Sequence, residues 1–537
     1  MAIDNKSSDA KAFEELKRLD KLAEEQSFIG QTQDRRYVNS KETLGFVIWD
    51  AAQSFNINIY STRFITSIVG VDLGLQTLVN SINSVWDIVN DIIFGAIVDK
   101  TRTRWGKFRP YLLFLAFPGC FLTCLYWLMP YLFAGTTQTN MLKFAFYLML
   151  SVAREGVTTF QTISRTGLMS TITPHPNDRT RLITMANFAS GFFGEKLPEQ
   201  AVTILIDVLR SKYLDNSAQL SKAYTGLFAG MGIFTTLCSS TASFLFFRMS
   251  KERVMQSIKS PSVLMSVKSV INNKPLLLIT LSDFLSGFAI KGSQDDYYTD
   301  VLHFSSMTLV AGIPAAPISP ASYAWVPWMR RHFSSRLLYI LAKEIGNILY
   351  IPVFFFGCIG LKKDFSGGMY QKIVPMGIAM ALWEIIWTLF FGLKSVIGTE
   401  MYNEAMDYCE WKNGYRTEAM ASVTKDIAAK ISSNTSNVVT TAIKKFIGYE
   451  ATAFRTGKEQ TDRVKFYLFA MFTIIPAVTG SLGIIPMLFY DLNNEKKAKM
   501  YSELLARRRL MTQAVESDDD SMVDIAAKAQ IKSGKQN

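Results

Sequence analysis

Two aspartates, Asp87 and Asp91, stand four residues apart in SVWDIVNDIIFGAIVD, a stretch that is otherwise apolar. Four residues is little more than one helical turn, so both carboxylates share a face. In a hydrocarbon interior each costs roughly 2.5–3.5 kcal/mol on insertion scales. A bound cation relieves their mutual repulsion by supplying opposite charge and accepting carboxylate oxygens as hard ligands. Protonating one of the two relieves it equally, which makes the same pair usable by H⁺. Asn90, on a neighbouring face, adds an amide oxygen. The other way to satisfy such a pair is a base from another helix, and Lys430, Lys425, Lys196 and Arg154 are the candidates. The two arrangements are compatible, because a basic neighbour competes with the ion.

No enzyme chemistry stands beside this. The three histidines, His175, His303 and His332, are far apart, and the five cysteines lack metal-ligand spacing. There is no nucleophile–base set, phosphate loop or cofactor motif. The expectation is no catalytic residues, no cofactor, and no metal beyond a coupling Na⁺, Li⁺ or H⁺.

The elements that must hold the aspartates follow from composition. The chain has 537 residues, 49% hydrophobic and only 19% charged, where soluble proteins carry about 25% charge. Charges cluster between long apolar runs. A helix needs roughly 20 residues to cross a bilayer, and that ruler predicts an all-α membrane protein with twelve transmembrane helices. Their approximate limits are 42–69, 72–98, 109–134, 140–170, 181–209, 222–248, 275–302, 306–328, 336–360, 370–399, 418–447 and 464–490. The eleventh, with Lys425, Asp426 and Lys430, reads on its own equally well as a surface helix.

The net charge of +12 reflects basic loops on one side of a membrane and not a nucleic-acid partner. DKTRTRWGKFRP, MRRHFSSR, the central loop and the tail are all basic, whereas the opposite links after the first and seventh spans carry no Lys or Arg. Basic loops face the cytoplasm, so both termini are expected there, in a multi-pass protein of the cell membrane. The two halves echo one another, giving a cytoplasmic segment 1–41, a six-helix bundle 42–248, a central loop 249–274, a second six-helix bundle 275–490 and a partly disordered tail 491–537. This is a major-facilitator layout, with a single chain as the functional unit.

Three motifs carry a family resemblance. WDIVNDIIFGAIVDKTRTRWGKFRPYLLF (86–114), TITPHPNDRTRL (171–182) and AMDYCEWKNGYRTEAM (405–420) stand in the order seen in the glycoside–pentoside–hexuronide cation symporters. The third resembles that family's D-Y-G-E-W-K-x-G-x-R-x-E loop, with Cys409 where glycine is usual. The resemblance implies a cation site of Asp87, Asn90, Asp91 and Thr159, and a lysine, Lys430, between cation and sugar sites. The cytoplasmic loops are expected to gate through charge pairs broken on opening, with Arg102, Arg104, Trp105 and Lys107 on one and Asp407, Glu410, Lys412 and Arg416 on the other as candidates.

The same ungapped matching shows departures. Thr162 stands where the family's melibiose carriers have a sugar-binding aspartate, Asn187 where they have an arginine, and Ala51, beside Asp50, at a third carboxylate. The expected substrate is therefore a sugar or glycoside held by a different set, with Asp50, Gln53, Thr162, Asn187, Lys430 and Trp383 as candidates. Basic residues inside predicted spans, Arg63, Arg154, Arg165 and Lys196 among them, would suit an acidic sugar such as a hexuronide. Competing readings are an uncoupled exchanger or lysolipid-type transporter of the same fold, and a membrane sensor without turnover.

Overall fold

The computed structural model describes residues 38–504 apart from 102, 104, 107, 173–175, 252–270, 414–417 and 493–494. Four gating candidates, Arg102, Arg104, Lys107 and Arg416, lie outside the described residues, as do nearly all of 1–41 and of the central loop, and 505–537. Among the described residues the regular structure is helical, and the one β-type pairing is an isolated bridge between Thr103 and Gly106.

In the first half, α1 (Ser40–Ser54) continues, after a break, through Ser61–Arg63 into a π-helical turn, Phe64–Val69. Next come α2 (Leu73–Lys100), α3 (Arg109–Trp127) and α4 (Met141–Thr171). The fifth, α5, is Pro176–Ala189, carried through a π-helical turn into Leu197–Tyr213, and α6 is Ser217–Met249. The second half has α7 (Lys274–Gly287), an interrupted α8 (Met307–Gly312 to Val326–His332) and α9 (Ser335–Gly357). It ends with α10 (Ile373–Leu389), α11 (Phe391–Asn413), α12 (Glu418–Ile447), α13 (Asp462–Leu488) and a terminal helix, α14 (495–504).

Side chains cap the first backbone amides of several of these helices. Asp72 accepts from the Gly74 and Leu75 amides at 2.8 and 3.2 Å, Asn140 from Lys143, Asn216 from Gln219 and Asn273 from Leu276. The first half needs one unusually close approach. A Cβ on Gly194 of α5 would lie 2.6 Å from the Ala51 carbonyl oxygen of α1, so only glycine lets these helices meet.

Four helices, α3, α6, α9 and α13, are long and apolar enough to cross a membrane, and the bent pair α10–α11 makes a fifth. Twelve spans thus go beyond what length and apolarity alone identify among the described residues. The others include α2, α4 and α12, which carry the charged residues already noted. Large apolar side chains face outward, with Phe117 and Phe446 each 80% exposed. Such a surface is stable against lipid, whose tails are as apolar as the side chains.

Buried apolar clusters centre on one half or the other, with Phe454 of the second half joining a first-half cluster by stacking on Tyr224. One gathers Phe64, Tyr126, Trp127 and Phe228; another gathers Met401, Tyr408, Met487 and Leu504. The second shows why α14 is ordered. Leu492, Met500 and Leu504 pack under α11, and Lys497 pairs with Glu404 at 2.6 Å with both side chains largely buried. At the same base, burial alone would raise the Asp491 pKa, but hydrogen bonds from Lys274 and Lys496 outweigh it and hold the carboxyl below its usual range.

Removing one partner of a buried ion pair costs roughly 3–5 kcal/mol. Lys497→Ala is therefore expected to lower the thermal midpoint of the detergent-solubilised protein by several degrees. Adding Glu404→Gln to it should recover part of the loss; a midpoint unchanged in the single variant would show that α14 adds nothing to stability.

Candidate functional site: an acid pair on the seam between halves, and a polar cavity

The two halves meet along α2 and α12, which run antiparallel. From one end to the other, Lys445 pairs with Asp72 at 2.9 Å, the hydroxyls of Thr441 and Thr77 lie 2.8 Å apart, and Ser81 donates to Asn434 Oδ1 at 3.3 Å. The row ends at the aspartates. Lys430 Nζ stands 2.7 Å from Asp87 Oδ2 and 2.9 Å from Asp91 Oδ2, so one ammonium bridges both carboxylates. The helix whose charges made it read as a surface element is thus the second half's contribution to the central seam.

The other candidate bases are engaged elsewhere. Lys425 pairs with Asp283 at 3.5 Å, Lys196 with Glu199 at 2.9 Å, and Arg154 lies over the Tyr126 ring. Beside the acids, Asn90 is fully buried and its Oδ1 accepts from the Thr159 hydroxyl at 3.2 Å, which brings α4 to the site. The Asn90 amide nitrogen is buried and has no hydrogen-bond partner among the described residues. Asp87, Asn90, Asp91 and Thr159 therefore converge, with Lys430 added from the other half. Asp87, Asp91 and Lys430 together carry a formal charge of −1, and the Glu155 carboxyl lies within electrostatic reach of all three.

The substrate candidates divide. Gln53 and Thr162 line one cavity of about 320 Å³ inside the first half, walled by α1, α3, α4 and α6. Asp50 is fully buried at its edge; Arg165 contacts its Oδ1 at 2.6 Å and Ser190 donates to its Oδ2 at 2.7 Å. Lys430 is on the seam. Trp383 stacks on Tyr350 at 4.3 Å and donates to the Gly346 carbonyl in the second half, and Asn187 is exposed on α5; neither lines this cavity. The sequence reading missed Thr158, Gln161, Ser239 and Ser240, which also line it. For α4 the signal was present: 154, 158, 161, 162 and 165 fall on one helical face.

Of the described gating candidates, Trp105 meets Phe247 edge-on, the Tyr501 hydroxyl donates to Asp407, Lys412 donates to the Asn272 carbonyl, and Glu410 is buried. A closure the sequence did not indicate lies at the opposite end of the seam. Arg63, 4% exposed, pairs with Asp295 and, at 3.0 Å, with Asp300; the Tyr449 hydroxyl donates to Asp300 at 2.8 Å. Helix ends join it across the halves. Arg455 donates to the Ile68 carbonyl at 3.2 Å, and the Asp207 carboxylate accepts from the Ser305 and Ser306 amides at 2.8 and 2.7 Å.

Comparison with known proteins identifies the family to which this helical arrangement belongs. Residues 44–494 match the family model described as MFS/sugar transport protein. The chain belongs to that family. Its relatives there include an isoprimeverose transporter of Lactiplantibacillus pentosus, 23% identical over 86% of this chain and 91% of that one. An inner membrane symporter of Escherichia coli (strain K12) is 23% identical over 89% and 98%, and a glucuronide carrier protein homolog of the same organism 21% over 88% and 97%. With the three motifs, these place it in the glycoside–pentoside–hexuronide group. It is a multi-pass membrane transporter of sugar-transporter type, not an enzyme.

Arg63→Gln leaves the aspartates facing one another without their main cation, so the closure at this end of the transporter should loosen. With the native cysteines replaced, a cysteine at Ser67, now 1% exposed, should react with a maleimide on the order of tenfold faster in the Arg63→Gln background. An unchanged rate would show that Arg63 does not hold this end shut.

Proposed function

We propose that this transporter is a cation-coupled symporter of a sugar or glycoside. It works by alternating access of two six-helix bundles, twelve spans in all, with both termini cytoplasmic. The observation that carries the reading is Lys430 reaching from one half to both Asp87 and Asp91 on the other. A Na⁺, Li⁺ or H⁺ at the acid pair competes with that ammonium for the same oxygens. Occupancy of the pair therefore changes how strongly the halves hold together, and a conformational equilibrium can be biased only by such a difference in affinity. Asn90 and Thr159 supply neutral oxygens beside it. The substrate lies in the polar cavity of the first half, where Gln53 and Thr162 bond hydroxyls, with Trp49 and Trp127 in the wall. Substrate and cation should then raise one another's affinity by the same factor.

A second reading has an observation of its own. A tethered ammonium already paired with both acids could replace the coupling ion altogether, leaving an uncoupled exchanger. Uptake into proteoliposomes of a labelled glycoside, with imposed Na⁺, Li⁺ or H⁺ gradients, separates the two. Under symport, one gradient stimulates uptake, and Asp87→Asn and Asp91→Asn each abolish that stimulation. Wild-type uptake indifferent to every gradient would favour exchange; coupling intact in both variants would remove the acid pair from the mechanism.

A further inference from the structure

We propose that Arg154 is a specificity-determining residue that reads an anionic substituent on the transported glycoside. The inference rests on the glycoside reading above and adds the chemistry of one end of the cavity. Among the residues lining that cavity there are two guanidinium groups, Arg154 and Arg165, and no carboxylate. The two are not equivalent. Arg165 is turned onto Asp50, with its Nε and Nη2 each 2.6 Å from Oδ1, and that pair is neutral as a unit.

Arg154 has no carboxylate within ion-pair distance among the described residues. Its guanidinium carbon instead lies 4.1 Å from the centroid of the Tyr126 ring. The guanidinium also hydrogen-bonds the Tyr126 side chain; a guanidinium has five N–H donors, and those left over can take a carboxylate or a sulfonate in two parallel hydrogen bonds. Glu155, next in sequence, sits about 100° round the helix and does not line the cavity.

The spacing along α4 gives the ligand a direction. Residues 154 and 165 are eleven apart, three turns or about 16 Å, and fall within about 20° of one face. Thr158, Gln161 and Thr162 occupy that face between them, with Gln53 also in the wall. A glycoside lying along α4 would set its hydroxyls against these amides and hydroxyls and its charged group at the Arg154 end. The positive charge at that end disfavours a cationic ligand and leaves a neutral one without its strongest contact.

A matched pair of ligands tests this: p-nitrophenyl β-glucuronide and p-nitrophenyl β-glucoside differ only in a carboxylate against a hydroxymethyl group. Their dissociation constants would be measured by titration on purified full-length protein. Wild type should prefer the glucuronide. Arg154→Gln should weaken glucuronide binding on the order of tenfold or more and change glucoside binding by no more than about twofold. Arg154→Lys, which keeps the charge, should retain part of the preference and serves if the glutamine variant does not fold. A 6-sulfonated analogue of the same glucoside should follow the glucuronide.

A wild type that prefers the glucoside overturns the assignment, as does an Arg154→Gln variant that loses both ligands equally or neither. Failure of wild type to bind any of the three would instead strike at the glycoside reading, and this assignment would fall with it.

Discussion

A single ammonium between two carboxylates is the contact on which the rest of the molecule depends. Asp87 and Asp91 cannot both stay charged on an apolar helix without a cation close by, and the cation present is Lys430, which belongs to the other half. The charge state of α2 and the relative position of the halves are therefore one problem. Any ion or proton that takes the place of Lys430 at those oxygens weakens a tie between the halves and strengthens a site within one of them.

The strength of contact along the seam is uneven. Midway along α2 and α12 Lys430 bridges the acid pair; at one end of the seam Lys445 pairs with Asp72 and Arg63 is buried among aspartates, with Arg455 and Asp207 joining helix termini of opposite halves. Between them the links are neutral, Thr77 with Thr441 and Ser81 with Asn434. Hydrogen bonds of that kind between membrane helices average only about 0.6 kcal/mol each. Charged contacts thus stand at the middle and at one end of this seam, with weaker neutral ones between.

Legibility in the sequence followed the range of the interaction. The spacing of Asp87 and Asp91 is local, so the shared face could be read directly, and the motifs carried Thr159 and Lys430 to the same site. What was not legible depended on tertiary partners. Arg63 is an isolated base in a span until α1 is set against 295–300, more than two hundred residues away. Asp50 was a sugar-ligand candidate because it stands beside Ala51, at a carboxylate position of the family pattern; only the fold shows Arg165 and Ser190 closing on it. α12 read equally as a surface helix because its polar residues face the other half, and hydropathy cannot distinguish a protein seam from water.

α4 is the element that both sites share. Thr159 bonds Asn90 at the acid pair, while Thr158 and Thr162, an adjacent residue and one three positions on, line the cavity. A helix interior is stiff, so a rotation that improves the hydroxyl's position at the acid pair must also turn the cavity face. Where carboxylates stand in the melibiose-carrier pattern, at the positions of Thr162 and Ala51, this chain has neutral groups, and its cavity carries arginines. Both contacts are thus carried on α4, while the charges around the cavity differ from that pattern: Asn187 stands where the carriers have an arginine, and the arginines of the cavity are Arg154 and Arg165 of α4. The acid pair therefore follows the family motif while the cavity lining does not.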